Sequence, residues 1–145
     1  MIIGYTTGVF DLFHVGHVNI LRQSKAMCDY LIVGCTTDEL VRQRKNKVPI
    51  IPHKERVEIL SSIKYVDQVV SQDSMDKFEA YDKYKFNIMF VGDDWKGHPK
   101  WQQMEQNFNA LKVKIIYFPY TRNTSSTKIN KILDSYLENY NDTTK

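Results

Sequence analysis

Short apolar runs alternate along the chain with longer stretches in which apolar residues recur every three or four positions. The runs are typical of strands covered on both faces, and the stretches are typical of helices that bury one side. Five runs predict strands, at residues 1–6, 29–36, 64–70, 87–92 and 113–118. One helix is predicted after the first strand, others at about 53–63, 75–84 and 99–111, and a last one after residue 127.

Five strands that alternate with helices indicate an α/β fold, with a single doubly wound, Rossmann-like parallel five-stranded sheet flanked by helices. Residues 1–138 are predicted to form one domain, and residues 139–145 a flexible C-terminal tail. No helix is predicted for 37–47. Pro49 and Pro52 make 48–52 a predicted loop, because proline opposes helix formation.

The junction between the first strand and the first helix carries GVFDLFHVGH, residues 8–17. The first N–H groups of a helix lack internal partners and carry partial positive charge, which suits a phosphate. Gly8 and Gly16 have no Cβ and allow a ligand close to the backbone. His14 and His17 are three residues apart and can face the same ligand. The junction is therefore predicted to be a phosphate site.

Two other interpretations of these histidines stay open from the residues alone. A histidine at a helix start is often a cap or a surface residue, and two histidines on one turn could bind zinc. A zinc site needs further ligands, which no nearby residue supplies, so we predict no metal site. The stretch also lacks the GxxxxGK[ST] and GxGxxG fingerprints, which argues against a P-loop and against a dinucleotide fold of the oxidoreductase type.

Three more segments carry candidate chemistry. Asp93, Asp94 and Trp95 follow the fourth predicted strand, at the kind of strand end where open α/β sheets bind ligands; Asp93 could instead cap a turn. The hydroxyl residues 125–127 precede the last helix and could both cap it and hold a phosphate. The basic segment 42–47 is either a solvated face or a local anion site.

Composition narrows the function classes. The net charge of +3 is small for a dedicated nucleic-acid binder, and no apolar run approaches the roughly 18 residues that cross a bilayer. Cys28 and Cys35 form neither a CxxC motif nor a disulfide framework. Because an N-terminal targeting pattern is also missing, we expect a cytoplasmic protein without nucleic-acid or membrane partners.

The stretch 8–17 resembles the HxGH signature of the nucleotidyltransferase superfamily, and its Phe10 and Asp11 are similar to the cytidylyltransferase branch. TRNTSST, at 121–127, resembles the RTxGISTT signature that closes the nucleotide site of cytidylyltransferases. Further family segments are TTDEL (36–40), ERVEIL (55–60), KYVDQV (64–69) and VGDDW (91–95). Over residues 1–133 the chain resembles cytidylyltransferases of the glycerol-3-phosphate cytidylyltransferase type.

The resemblance implies transfer of CMP from CTP to a small phosphorylated alcohol, with release of pyrophosphate. Glycerol 3-phosphate is the acceptor that it favours. It also implies Mg²⁺ that arrives with CTP, and a homodimer. The catalytic residues that it implies are His14, His17, Lys45, Lys47 and Arg122. The nucleotide-binding residues are Gly8, Val9, Phe10, His14, Gly16, His17, Asp93, Asp94, Trp95, Tyr120, Thr121, Arg122, Asn123, Thr124, Ser125, Ser126 and Thr127. The substrate-binding residues are Asp11, Lys45, Arg56, Lys64 and Lys77.

Four positions depart from the family pattern. Tyr120 stands where the family has an arginine, with Arg122 two residues later, and Asn123 replaces a glycine. Lys64 replaces an arginine and lacks its planar fork, and Val9 replaces a threonine. An adenylyltransferase that uses ATP, and a nucleotide-binding regulatory module without catalysis, are the alternative functions.

Overall fold

A parallel sheet flanked by helices forms the fold of residues 1–93, 96–119 and 126–143, which the computed structural model describes. The strands are β1 (Ile3–Gly8), β2 (Tyr30–Thr36), β3 (Gln68–Gln72), β4 (Ile88–Gly92) and β5 (Lys114–Phe118). The helices are α1 (Val15–Ala26), α2 (Asp38–Lys45), α3 (His53–Ser61), α4 (Lys77–Tyr84), α5 (Pro99–Ala110) and α6 (Ser126–Thr143). Neighbouring strands are parallel, in the order β3-β2-β1-β4-β5. The predicted α/β fold and five-stranded sheet are confirmed.

The core lies on both faces of this sheet because strand residues point alternately to opposite sides. Leu31 and Val33 of β2 pack in one cluster with Leu21 of α1 and Leu60 of α3. Ile32, between them in sequence, packs in a second cluster that the helices α4 and α5 cover; its members are Tyr5, Ile32, Phe86, Met89, Phe108, Val113 and Ile115. The sheet is therefore doubly wound, as predicted.

The strand order reverses at β1 and β4, which lie side by side in the middle of the sheet. The helix that follows β1 covers one face and the helix that follows β4 covers the other. In open α/β sheets this reversal leaves a crevice outside the carboxyl ends of the two strands, where ligands bind. The stretch 8–17 begins at the carboxyl end of β1, so the fold puts it at this crevice.

Helix α2 was not predicted, and its presence is a correction. Its start is stabilised by Thr37, whose Oγ1 accepts a hydrogen bond of 3.2 Å from the Leu40 N–H, and by acidic residues in the first turn. Its last turn carries Arg42, Arg44 and Lys45, which the negative end of the helix dipole favours. Charges in this order support a helix, although the segment is too polar for an apolar period to show it.

Two other bounds differ from the prediction. Residues 64–67 form the connection from α3 to β3 and not the start of the strand. The carboxylate of Asp67 accepts hydrogen bonds from the Leu31 N–H at 2.7 Å and from Lys25 Nζ at 2.6 Å, which holds this connection beside the amino end of β2.

Helix α6 extends to Thr143, so the domain boundary that we predicted at residue 138 falls within a helix. Among the described residues, no helix has the length and apolarity to cross a membrane.

Candidate functional site

The histidine turn, residues 9–14, connects β1 to α1 at the carboxyl edge of the sheet. Phe10 and Leu12 have φ angles of 55° and 51°, in the left-handed region, which costs about 1 kcal/mol or more for a large side chain. The Phe10 ring packs against Gly8, where a Cβ would stand 2.9 Å from a ring carbon. Glycine at residue 8 is thus needed for packing, apart from any ligand.

His14 and His17 form a reciprocal cap at the start of α1. The Nδ1 atom of His14 accepts a hydrogen bond of 3.0 Å from the Gly16 N–H. The Nδ1 atom of His17 accepts one of 3.2 Å from the His14 N–H, and the two rings stack with centroids 4.0 Å apart. Because each Nδ1 is an acceptor, the proton of each neutral ring is on Nε2. The histidines therefore cap the helix and still present two N–H donors.

Both imidazoles are neutral near pH 7. Burial lowers the pKa of His17 to about 4, with a second contribution from His14, and the Asp11 carboxylate opposes this shift. Burial also lowers the pKa of His14. The pair can donate hydrogen bonds to an anion but carries no positive charge of its own. No group of three metal-ligating side chains occurs within the described ranges.

Asp11 belongs to the histidine turn, and it is 6% exposed. Its carboxylate accepts hydrogen bonds from the backbone N–H groups of Ile50 at 2.8 Å and Ile51 at 2.9 Å, and from its neighbour Leu12 at 3.1 Å. We predicted Asp11 to bind the acceptor substrate. The structure uses its oxygens to hold the chain that connects α2 to α3.

Arg56, also predicted to bind substrate, is 1% exposed and is used within the fold. Its Nε donates to the Ile51 carbonyl at 2.8 Å, and its Nη1 donates to the carbonyls of Val9 at 2.7 Å and Thr36 at 2.8 Å. Its Nη2 donates to Asp38 Oδ1 at 2.5 Å. Four of the five N–H donors of a guanidinium are thus engaged within the fold, and the predicted contact of Arg56 with substrate stays a prediction.

Lys77 is a buried cation without a carboxylate partner among the described residues. It begins α4, is 6% exposed, and donates from Nζ to Thr7 Oγ1 at 2.7 Å, near the carboxyl end of β1. Burial, followed by the positive charge of Arg44, lowers its pKa to about 8. Lys77 is therefore still protonated at neutral pH and stands beside the same strand end as the histidine turn.

The other predicted lysines differ in position. Lys45 ends α2 and Lys47 follows it, and both side chains are exposed. Lys64 precedes β3, at the amino edge of the parallel sheet, with Nζ 5.2 Å from the centroid of the Tyr65 ring. The histidine turn lies at the carboxyl edge, so the fold does not bring Lys64 to the histidines of the same chain.

The remaining predicted residues divide between the described site and the undescribed ranges. The Phe10 ring meets His17 edge-on at 5.4 Å, Gly16 is buried in the first turn of α1, and Asp93 follows β4 at the carboxyl edge, exposed. Predicted residues that lie outside the described residues are Asp94, Trp95, Tyr120, Thr121, Arg122, Asn123, Thr124, Ser125 and the side chains of Ser126 and Thr127. For these, the sequence interpretation stays a prediction.

Two residues at this edge, Asp38 and Thr7, were not predicted as site residues: Asp38 pairs with Arg56, and Thr7 accepts a hydrogen bond from Lys77. Arg44, from the predicted basic segment, contributes to the lowered pKa of Lys77. Asp38 falls within TTDEL, the segment that matched the family, and Thr7 shares a strand face with Tyr5 by alternation. Neither sequence signal identified the partner of Asp38 or of Thr7, because each contact joins segments that are far apart in the sequence.

The carboxyl edge thus offers neutral N–H donors and a buried ammonium, an arrangement suited to a polyanion. The sequence profile of the cytidylyltransferase-like family matches residues 5–132. The glycerol-3-phosphate cytidylyltransferase of Staphylococcus aureus is 36% identical over 129 residues, covering 88% of this chain and 92% of that protein.

Two further comparisons come from archaea. The FAD synthase of Pyrococcus abyssi is 35% identical over 132 residues, covering 90% of this chain and 89% of that protein. The crystal structure of the lipopolysaccharide core biosynthesis protein of Thermoplasma volcanium has a TM-score of 0.69 and 26% identity, covering 86% of this chain and 99% of the other. With a family profile that spans most of its length and relatives of this similarity, the chain belongs to the cytidylyltransferase-like family.

Proposed function

We propose that the protein transfers CMP from CTP to a small phosphorylated alcohol, with glycerol 3-phosphate as the acceptor, and releases pyrophosphate. The observation that carries the proposal is the histidine pair, whose Nδ1 atoms are both acceptors so that both Nε2–H groups are donors beside a helix N-terminus. The similarity to a glycerol-3-phosphate cytidylyltransferase supports the choice of CTP and of this acceptor.

In this reaction a phosphate oxygen of the acceptor attacks the α-phosphorus of CTP in line. A P–O bond forms to the acceptor, and the bond to pyrophosphate breaks. The attacking oxygen is already anionic near neutral pH, so the protein needs no general base to remove a proton. It has to bring two polyanions together and stabilise the charge on the α-phosphate and on the leaving pyrophosphate. Donors that are fixed before the reaction do this at little cost of reorganisation.

The residues of the site take complementary roles in this proposal. His14 and His17 donate to the CTP phosphates, and their low pKa values keep them as neutral donors throughout the working range. Lys77, beside the end of β1, holds the phosphate of the acceptor. Lys45 and Lys47 contact phosphates of both substrates.

The resemblance supplies the rest of the proposed site. Arg122 with residues 125–127 holds the β- and γ-phosphates, and Asp94 with Trp95 contacts the nucleoside. Mg²⁺ neutralises phosphate charge and arrives with CTP, bound mainly by the phosphates. The protein is proposed to be a homodimer.

The second candidate is transfer of AMP from ATP by the same site, which the similarity to a FAD synthase favours. Making FAD by this chemistry joins AMP to a flavin phosphate. The discriminating experiment offers CTP and ATP in competition, with magnesium, to a panel that includes glycerol 3-phosphate, other polyol phosphates, phosphocholine, phosphoethanolamine and flavin mononucleotide. Products are identified by mass.

CDP-glycerol as the main product would support the proposal, and FAD as the main product would replace it with the second candidate. Binding of CTP without pyrophosphate release for any acceptor would indicate a regulatory module. A His17→Ala variant is expected to lose about 100-fold or more in turnover, the scale for one prearranged donor. Gln23→Ala, on the exposed side of the same helix, is the matched control and should keep wild-type turnover. Equal turnover of the two variants would contradict the role of His17.

A further inference from the structure

Asp11 and Arg56 together link the histidine turn to the 46–52 loop, which connects α2 to α3. Asp11 reaches from the turn and accepts the N–H groups of Ile50 and Ile51. Arg56 reaches from α3 and donates to the carbonyl of Val9 on the turn and to the carbonyl of Ile51 on the loop. Ile51 is therefore held through its N–H by one charged side chain and through its C=O by the other.

The 46–52 loop has little hydrophobic packing to fix it otherwise. Its residues Val48 and Ile50 are 60% and 47% exposed, and of its seven residues only Pro49 is buried. Buried or half-buried hydrogen bonds to charged groups are worth more than ordinary ones. The bonds from Asp11 and Arg56 are thus the main described contacts that fix the loop against the turn.

The histidine turn needs the same support. Phe10 and Leu12 are both held in the left-handed region, and a backbone of this kind persists only where the surroundings enforce it. Arg56 donates to the Val9 carbonyl and Asp11 accepts from the Leu12 N–H, so the two bonds fall on either side of Phe10. The two side chains therefore hold the turn as well as the loop.

Arg56 also anchors the arrangement in the sheet. Its Nη1 bonds the Thr36 carbonyl at the end of β2, and its Nη2 bonds Asp38 at the start of α2. The second oxygen of Asp38 accepts from the His53 N–H at the start of α3, at 3.2 Å. Arg56, which holds the loop through Ile51, is thus itself fixed by the turn, by the end of β2 and by the start of α2.

We propose that Asp11 and Arg56 are positioning residues that set the distance between Lys47 on the loop and the histidine pair at the end of the turn. This inference rests on the proposed function, in which one polyanion contacts both groups. Lys47 and the histidines belong to segments that are far apart in the sequence, and the described bonds between these segments run through Asp11 and Arg56. Neither residue contacts substrate in this assignment; each acts through the groups that it holds.

The test uses Asp11→Asn, which keeps the size of the side chain. An amide has one acceptor oxygen, and its NH₂ group would face an N–H donor, so one of the two bonds to the loop is lost. Amide hydrogen exchange of Ile50 or Ile51, read by NMR, should become about 10-fold faster or more. The control Asp82→Asn makes the same change at an exposed carboxylate of α4 and should alter neither exchange nor turnover.

Coupling to Lys47 distinguishes positioning from simple stability. Asp11→Asn should lower kcat/KM about 10- to 100-fold in the wild-type background, because small displacements of phosphate-binding groups are costly. In a Lys47→Ala background, Asp11→Asn should lower kcat/KM by less than about 3-fold, since the group that Asp11 positions is gone. If the double variant loses kcat/KM by the product of the two single-variant losses, the positioning role is overturned. Unchanged hydrogen exchange of Ile50 and Ile51 would overturn the link between the turn and the loop.

Failure of the proposed function is separable from failure of this inference. If the wild-type protein transfers no nucleotide, the same four proteins of the double-variant cycle are compared by their affinity for inorganic pyrophosphate, together with the exchange rates. Faster exchange with a coupled loss of pyrophosphate affinity would support the positioning role without the reaction. Faster exchange with independent losses would refute it.

Discussion

The free energy of unfolding of the wild-type protein is expected to fall as the pH is lowered from about 8 to about 5. Replacement of His17 by glutamine is expected to abolish this fall. The folded protein holds the His17 pKa at about 4, against an ordinary value of 6.5. As the pH falls below 6.5, the unfolded chain therefore binds the proton before the folded protein does. The stability is complete above the unfolded pKa and is lost as the pH falls toward the folded value.

The size of this effect follows from the two pKa values. For a group that titrates at 6.5 unfolded and about 4 folded, the free energy of unfolding at pH 5 is lower by about 2 kcal/mol than at pH 8. Burial of the His17 ring is the main cause of its low pKa, and a second ring proton on Nδ1 would in addition face the His14 N–H. Protonation thus breaks the cap that starts α1.

Glutamine is the informative replacement because it is a normal partner at the third position of a capping box. Its side-chain oxygen can accept from the His14 N–H, but it does not titrate. Urea unfolding followed by circular dichroism at about pH 8 and pH 5 should show the wild-type losing about 2 kcal/mol more than His17→Gln. His98→Gln, at an exposed histidine of the α5 cap, should keep the wild-type loss. An equal pH dependence in His17→Gln and wild type would refute the buried neutral state of His17.

Three shorter predictions concern the charged residues. Lys77→Met should keep or raise the urea midpoint because it removes a buried charge, and it should raise the KM for the acceptor about 10-fold or more. In the wild-type protein the KM for the acceptor should rise as the pH passes about 8, because Lys77 loses its proton there. Arg56→Lys should lower the free energy of unfolding by about 3 kcal/mol, measured by urea, because a lysine cannot satisfy the same carbonyls and Asp38; a change below the error would contradict the structural role. If Lys64 serves a second copy in the proposed homodimer, Lys64→Ala and His17→Ala proteins should release more pyrophosphate mixed than separately, and no gain would place Lys64 outside the site.

The sheet and most helices could be predicted because their signals are local. The apolar runs around Ile32 and Met89 mark buried strands by composition alone, and four of the five strands were found within two residues of their ends. Helix α2 escaped because its evidence is a cap at Thr37 and an order of charges, which a search for apolar periods does not detect. The start of β3 was placed too early because Lys64 to Asp67 carry strand-like residues, while the contacts of Asp67 with β2 decide the bound.

The position of the histidine stretch after the first strand could also be predicted, but the hydrogen-bond partners of its side chains could not. His14 and His17 were expected to face a ligand or to cap a helix, and the structure shows that one ring nitrogen caps while the other remains a donor. Asp11 and Arg56 were expected at the substrate because charged residues in a family motif suggest ligand contacts. Which atoms satisfy them depends on Ile50, Ile51, Thr36 and Val9, and no spacing rule relates these residues.

The hydrogen-bond partners of a buried charged side chain separate residues that stabilise the fold from residues that bind a ligand. Removing a charge whose hydrogen bonds are all made inside the protein leaves buried partners unpaired, so its cost appears as lost stability. Arg56 is of this kind. Lys77 has one neutral hydroxyl as its described partner and a lowered pKa. Its buried charge therefore destabilises the free protein, and a bound phosphate would offset that destabilisation. Removing Lys77 should therefore cost affinity and not stability, and this opposite pattern at two buried cations of one site follows from their partners alone.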